Sequence, residues 1–175
     1  VANEAGLSQG VAVFYFKSKT RLLTDTLRDQ YQRYDQNWKK ALADAGDDPL
    51  DQLIAMIKAD FAPEICDSDN LALWFAFWGE EKFTPQYAAI SSEFDMSHRD
   101  VMRSICTVLA EESDSDGDDV SDWIENVSDG YWQKLHLHPR STDPELATAA
   151  TLRLFSQLMP KYAARITALS AQSLL

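Results

Sequence analysis

The sequence predicts an all-α protein with two parts. Apolar residues recur at the three- and four-residue spacing of amphipathic helices, and no useful stretch alternates with the period of two that a strand requires. The 175 residues, of which 45% are hydrophobic, suffice for a small domain followed by a larger one. We therefore expect a small helical unit at residues 1–40 and a larger helical domain at residues 41–175.

The small unit is predicted to be part of a helix-turn-helix. A short helical piece reaches Ala5, and Gly6 takes the positive φ that a tight turn between helices needs. Leu7 fills the corner, and the Ser8 hydroxyl caps a second short helix over 9–14. The second helix of such a motif enters the major groove of DNA.

The short second helix carries side chains suited to base edges. Gln9 can pair with an adenine edge, Val11 or Val13 can meet a thymine methyl, and Gly10 permits close approach to the duplex. Phe14 fits either DNA or a small core. Tyr15, Lys17 and Lys19 follow as candidate phosphate contacts. The predicted DNA-binding residues are Ser8, Gln9, Gly10, Val11, Val13, Phe14, Tyr15, Lys17 and Lys19.

The charge distribution agrees with binding through one end. Residues 1–40 hold seven Lys and Arg against four Asp and Glu, a net charge of +3. Residues 41–175 hold nine bases and 24 acids, a net charge of −15. DNA would repel the acidic body and attract the basic end, which favours one docking orientation.

These residues resemble a known signature. The pattern A-G-L-S-x-G-x-x-x-x-Y-F-x-x-K-x-x-L-L, from Ala5 to Leu23, is similar to the DNA-binding signature of the TetR family of bacterial transcription regulators. The resemblance implies that Tyr15 and Lys19 contact phosphates. In that family a first helix and most of a second precede the signature, so we expect that the start of the DNA-binding domain is missing from this sequence.

The larger domain is predicted from its caps and apolar stripes. A long helix follows Ser18, Asp48 and Pro49 begin another, and an acidic segment at 111–119 forms a loop. Pro160 is expected to kink the last helix. The predicted helices run from Ser18 to about Ala45, from Pro49 to about Phe61, from Asp69 or Asn70 to about Phe83, from Pro85 to about Ala110, from Val120 to about Leu137, and from Pro144 to about Leu169.

A tryptophan-rich stretch is the candidate ligand site. Trp74 and Trp78 are four residues apart and share one helix face. Aromatic stripes usually pack in a core, but aromatic faces beside a carboxylate such as Glu81 or Asp129 can also hold a quaternary ammonium by cation–π attraction. Both interpretations stay open. The predicted ligand-binding residues are Trp74, Phe77, Trp78, Glu81, Trp123, Asp129, Tyr131 and Trp132.

A second resemblance concerns the same stretch. The run A-L-W-F-A-F-W-G-E at 72–80, together with D-G-Y-W at 129–132, is similar to the regulatory domain of BetI-like repressors within the TetR family. The resemblance implies a repressor that responds to choline or betaine aldehyde. Relatives with this domain also sense nucleobases and polyamines, so the effector stays open.

The last two predicted helices are expected to form a homodimer. One carries an apolar stripe that includes Val120, Ile124 and Leu135, and the other carries small residues that permit close approach. In TetR-like proteins these helices pair with their symmetry mates. Two-fold symmetry would also double the DNA contacts of one short reading helix.

Other classes of protein are less favoured. No Ser/His/Asp set or metal-spaced cluster suggests an enzyme, and His136 and His138 do not share a helix face. We expect no metal, no cofactor, no membrane span and a cytoplasmic protein with reduced, buried Cys66 and Cys106. A helical module whose acidic face binds a basic protein remains an alternative.

Overall fold

The computed structural model describes residues 4–6, 8–111, 113 and 115–172, and those residues form helices without any strand. The all-α prediction is therefore confirmed. The helices are α1 (Gln9–Phe16), α2 (Lys19–Asp44), α3 (Pro49–Asp60), α4 (Ser68–Glu81), α5 (Pro85–Ala110), α6 (Gly117–Leu137), α7 (Pro144–Leu158) and α8 (Ala163–Gln172), with a 3₁₀ turn at Pro160–Tyr162 before α8.

Side-chain caps begin the helices where the sequence predicted them. The side chains of Ser8, Ser18, Asp48 and Asp143 each accept a hydrogen bond from a backbone N–H of the first helical turn. Gly6 has a φ of +68°, as the turn before α1 required. Residues 1–3 and Leu7, which were given roles in the same motif, lie outside the described residues.

Two helix starts were predicted too late in the chain. α4 begins at Ser68 rather than at Asp69 or Asn70, because the Asp67 carboxylate accepts from the N–H groups of both. α6 begins at Gly117 rather than at Val120, because the Asp116 carboxylate caps it. In both cases an earlier acid in the same acidic run provides the cap.

The predicted last helix is broken rather than kinked. α7 ends at Leu158, and Met159 leaves the helical region with φ −127° and ψ 75°. Pro160 has no backbone N–H, and its ring disfavours helical geometry in the residue before it. A short 3₁₀ turn therefore separates α7 from α8.

α3 lies at the centre of the bundle. Leu53, Met56 and Ile57 are fully buried, and α3 packs against α2, α5 and α7. Cys66 and Cys106 are buried free thiols, and burial raises the pKa of each to about 12. None of the described helices is long and apolar enough to cross a membrane.

The α5–α6 pair closes the other side of the bundle at a tight crossing. A Cβ placed on Gly117 would lie 2.6 Å from the Thr107 Cα, which is backbone and cannot move aside. The absence of a side chain at Gly117 thus lets the start of α6 approach the end of α5. This arrangement leaves a cavity between the middle of the two helices and α2, α3 and α4.

Candidate functional site

A cavity of about 330 Å³ opens among five helices. α2 contributes two tyrosines, α3 and α4 contribute their last residues, and α5 and α6 contribute charged and polar side chains. The lining residues are Tyr31, Tyr34, Asp60, Trp74, Trp78, Glu81, Asp95, His98, Arg99, Glu125, Ser128, Asp129 and Trp132.

Five aromatic rings form one wall of the cavity. The rings of Trp78 and Trp132 are nearly parallel, with centroids 5.9 Å apart. Trp74 lies 6.0 Å from Trp78 and 5.9 Å from Trp132. Tyr31 and Tyr34 of α2 meet Trp74 edge-on, at 4.6 and 6.2 Å. This packing fixes the ring orientations, so the wall presents a preformed aromatic surface.

Asp60, the last residue of α3, is the centre of a buried polar network. Tyr34 donates a hydrogen bond of 2.7 Å to Asp60 Oδ1, and His98 Nε2 lies 3.5 Å from the same oxygen. Trp132 Nε1 donates to the Asp60 carbonyl oxygen at 2.9 Å. Burial opposes protonation of His98, but the Asp60 carboxylate outweighs it and raises the pKa of His98. Burial and Asp60 together raise the pKa of Tyr34, which therefore stays a neutral donor.

The cavity carries an excess of negative charge. Its carboxylates are Asp60, Glu81, Asp95, Glu125 and Asp129. Among the described residues, Arg99 is the one lysine or arginine in the lining, and its Nε contacts Glu125 Oε2 at 3.1 Å. Burial, reinforced by the charge of Glu81, raises the pKa of Asp95 to about 6. Burial, with Asp60 and Glu125, raises the pKa of Asp129 to about 6. Burial is the main cause of both shifts, neighbouring carboxylates add to it, and Arg99 offsets it only in part.

Three polar atoms in the cavity wall have no hydrogen-bond partner among the described residues. They are Trp74 Nε1, Glu125 Oε1 and Ser128 Oγ, and all three are buried from solvent. Buried polar atoms are normally paired, because an unpaired one costs roughly 1–3 kcal/mol. Their grouping in one cavity indicates that a polar ligand or ordered water completes the site.

The second candidate region, α1, is exposed. Val13, Phe14 and Tyr15 are 57%, 68% and 69% exposed, and Ser8, Gln9, Gly10, Lys17 and Lys19 are exposed as well. Val11 is 37% exposed. Lys17 ends α1 with a φ of +62°, and its Nζ lies 4.5 Å from the centre of the Phe14 ring. Phe14 therefore has no place in the core of the described residues, and the predicted DNA-facing side chains are accessible.

Comparisons with known proteins identify the family of the chain. Residues 49–160 match the family described as "BetI-type transcriptional repressor, C-terminal". The chain belongs to the BetI-type branch of the TetR family. The proteins of this family are transcription regulators rather than enzymes.

Individual BetI-type relatives are moderately similar. The HTH-type transcriptional regulator BetI of Stenotrophomonas maltophilia (strain R551-3) is 32% identical over 95 residues, which are 54% of this chain and 48% of that protein. The BetI regulator of Vibrio campbellii (strain ATCC BAA-1116) is 26% identical over 149 residues, 84% of this chain and 73% of that protein. The chain therefore spans about half the length of the Stenotrophomonas relative.

A solved structure shares the fold. A protein from Pseudomonas aeruginosa PAO1, described as a transcriptional regulator, superimposes with a TM-score of 0.78 at 22% identity. The match covers 94% of this chain and 81% of that one. The similarity supports a helix-turn-helix region followed by a larger helical domain.

The structure brings five of the eight predicted ligand residues of this BetI-type domain together at the cavity. They are Trp74, Trp78, Glu81, Asp129 and Trp132. The other three lie elsewhere. Phe77 is buried against Tyr87 with ring centroids 5.0 Å apart, Tyr131 packs edge-on against Phe61 at 6.4 Å, and Trp123 is 46% exposed on the outside of α6.

Sequence reasoning missed eight of the thirteen lining residues. Tyr31 and Tyr34 are three residues apart on α2, Asp95 and Arg99 are four apart on α5, and Glu125 and Ser128 are three apart on α6. Each pair could be recognised as one helix face. No sequence signal shows that these faces meet.

The histidines considered as metal ligands lie away from the cavity. His136 stacks on Phe75 with ring centroids 4.9 Å apart, and His138 ends α6. In the described part of the chain, no three His, Cys, Asp or Glu residues are grouped so that they could hold a metal ion.

Proposed function

We propose that the chain is part of a repressor that binds operator DNA as a homodimer and is released when a small organic cation enters the cavity. The observation that carries this proposal is the aromatic wall formed by Trp74, Trp78 and Trp132 beside an excess of carboxylates. Ring faces attract cations, and negative charge in a partly desolvated site strengthens that attraction.

The effector has two candidate classes. Choline or betaine aldehyde follows from the resemblance to BetI-like repressors, and the aromatic wall suits a quaternary ammonium. A polyamine is favoured by the number of carboxylates. A neutral nucleobase gains nothing from so acidic a lining and is the least supported of the small molecules considered.

The dimer is proposed to form through α6 and α7. The predicted α6 stripe packs inside its own chain, since Val120, Ile124 and Leu135 are buried. The outward surfaces of the two helices instead carry Trp123 and Leu146, which are 46% and 48% exposed. We expect Trp123→Glu to yield monomers in light scattering, and an unchanged dimer would place the interface elsewhere.

α2 is the proposed link between effector and DNA. Tyr31 and Tyr34 line the cavity, while Lys19 begins the same uninterrupted helix about 20 Å away along its axis. A cation that attracts Asp60 would compete with the Tyr34–Asp60 hydrogen bond. The effector can shift the repressor only through its different affinity for the two states, a coupling of typically ~1–3 kcal/mol.

Calorimetric titration tests the cation site. The chain is titrated with choline, with spermidine and with uracil, and we expect saturable binding of at least one cation and none of uracil. Trp78→Ala should weaken cation binding at least tenfold, and Phe83→Ala is the matched control because Phe83 is 75% exposed just after α4. Binding of uracil alone, or cation binding that is indifferent to Trp78, would contradict the proposal.

DNA binding is tested separately with a version of the protein that has a complete DNA-binding unit. Its preferred DNA is selected from random duplexes, and the bound cation should release that DNA. A protein that selects no DNA but captures a basic protein partner would support the interaction-module alternative.

A further inference from the structure

We infer that the effector is a dication with N–H donors, a linear aliphatic diamine or polyamine, held with one ammonium group at each of two acidic ends of the cavity. This inference rests on the proposed cation site and narrows it. It depends on where the helices end, on how the carboxylates are grouped, and on the unpaired polar atoms in the cavity lining.

Two helix C-termini meet at the cavity. α3 ends at Asp60 and α4 ends at Glu81, and both residues line the cavity. The C-terminal end of a helix carries a partial negative charge from its aligned peptide dipoles, so it favours a cation. In each case the last residue adds a carboxylate to that end. The cavity therefore has two sites of negative potential on separate helices.

The remaining carboxylates divide between these two ends. Asp95 has Glu81 as the strongest of its charged neighbours, and Tyr31 donates to Asp95 Oδ2 at 3.4 Å. Asp129 has Asp60 and Glu125 as its principal charged neighbours. Tyr34, one turn further along α2 than Tyr31, donates to Asp60 instead. We therefore assign Glu81 and Asp95 to one acidic end and Asp60, Glu125 and Asp129 to the other.

The protein supplies too few bases for both ends. Arg99 contacts Glu125, and His98 contacts Asp60. Among the described residues, no lysine or arginine forms an ion pair with Glu81, Asp95 or Asp129. A monocation could neutralise one acidic end and would leave the other without a counter-ion, whereas a dication could neutralise both.

Hydrogen bonding also distinguishes a protonated amine from a quaternary ammonium group as the ligand of this cavity. Glu125 Oε1 and Ser128 Oγ are buried oxygen atoms in the lining without a partner among the described residues, and Ser128 is 6% exposed. A protonated amine can donate to both atoms, and a trimethylammonium group has no N–H to donate. In the same cavity, Trp74, Trp78 and Trp132 offer apolar ring surfaces suited to a methylene chain.

The decisive experiment compares ligands that carry one, two and three positive charges. The full chain is titrated calorimetrically with 1,4-diaminobutane, spermidine, n-butylamine and choline at pH 7.5. We expect the better of the two polycations to bind at least tenfold more tightly than either monocation. Butylamine is the matched control for the first diamine, because it keeps the four-carbon chain and one ammonium group.

Variants at the two ends complete the test. Asp95→Asn and Asp129→Asn should each weaken diamine binding at least tenfold and should bring diamine and butylamine affinities closer together. Asp100→Asn, an exposed change on the same helix as Asp95, should have no effect. Circular dichroism establishes that each variant is folded.

The outcomes separate this inference from the proposed function. The dication inference would be wrong if choline bound as tightly as the diamines. It would also be wrong if both Asn variants left the diamine affinity unchanged. Either result would leave the proposed cation-responsive repressor intact. If no cation bound the chain and no cation released the operator DNA, both the dication inference and the proposed function would be wrong.

Discussion

The cavity and α1 both hold clustered aromatic side chains, but they differ in what covers them. Trp74 is 1% exposed and is surrounded by rings from α2, α4 and α6. Phe14 and Tyr15 in α1 touch each other at 5.6 Å and are more than two-thirds exposed. Buried rings bordering a cavity are accessible only to a small molecule, whereas exposed side chains on a short helix are accessible to a macromolecule.

The two regions also differ in charge. The cavity gathers five carboxylates around one arginine, while α1 and the start of α2 present lysines and no acids in their first turns. A cation is therefore attracted to the first region and a polyanion to the second. α2 belongs to both, which makes it the physical connection between two opposite binding preferences.

The largest expected difference is in stability. Trp74→Ala removes a fully buried ring and leaves its neighbours around a void, so it should lower the free energy of unfolding by about 3–5 kcal/mol. Phe14→Ala should change it by less than about 0.5 kcal/mol, because its ring is 68% exposed. Urea denaturation of both variants measures this contrast. Equal losses would show that α1 is as integral to the core as the cavity wall.

A second, smaller effect distinguishes the residues that bind DNA from those that bind the effector. In a version with a complete DNA-binding unit, Lys19→Ala should weaken binding to all duplexes roughly tenfold and reduce the salt slope by about one counter-ion. Effector affinity should stay unchanged. Gel-shift titrations at several salt concentrations measure the DNA affinity, with Lys40→Ala, near the other end of α2, as the control. Unchanged DNA affinity would remove Lys19 from the predicted contacts.

The smallest expected effect is the loss of folding stability that the ionised carboxylates of the cavity cause. Asp95 is half-buried, and burial beside Glu81 raises its pKa to about 6 from an ordinary value near 3.8. The folded state thus binds a proton more tightly than the unfolded state. The free energy of unfolding should therefore fall as the pH rises from about 4 through about 6, and then level off.

Asp95→Asn should remove this cost. We expect the variant to be more stable than the parent by on the order of 1 kcal/mol at pH 7.5, with the difference vanishing near pH 4. Thermal melts at pH 4.5, 6 and 7.5 measure the trend, and Asp100→Asn should follow the parent. A variant that is less stable at pH 7.5 would mean that the Asp95 charge is already compensated.

Local signals explain most of the correct fold predictions. Asp48 with Pro49, Pro85, and Asp143 with Pro144 each begin a helix, because caps and a proline in the first turn depend only on neighbouring residues. The Asp67 and Asp116 caps were misjudged, because several acids in a row offer alternative starts. The position of the disruption at Pro160 was predicted correctly, but the helix ends there instead of bending.

Helix geometry explains which ligand residues were misplaced. Trp123 and Trp132 are nine residues apart on α6, which is about half a turn around the axis. They therefore point in opposite directions, and only Trp132 reaches the cavity. Phe77 lies on α4 about 100° away from Trp78 and packs against Tyr87 instead. A helical wheel separates these residues, because it depends only on their spacing along the chain.

The sequence by itself determined the helix periodicity, most helix ends, the family signature and the aromatic and acidic composition, since these depend on residues within a turn or two of each other. Only the tertiary structure decided that Asp60, Asp95 and Asp129 from three helices surround the same tryptophans. That meeting depends on how α3 packs among α2, α5 and α7, and on the close approach at Gly117. The negative charge of the site is therefore a property of helix packing, because residues separated by dozens of positions contribute it together.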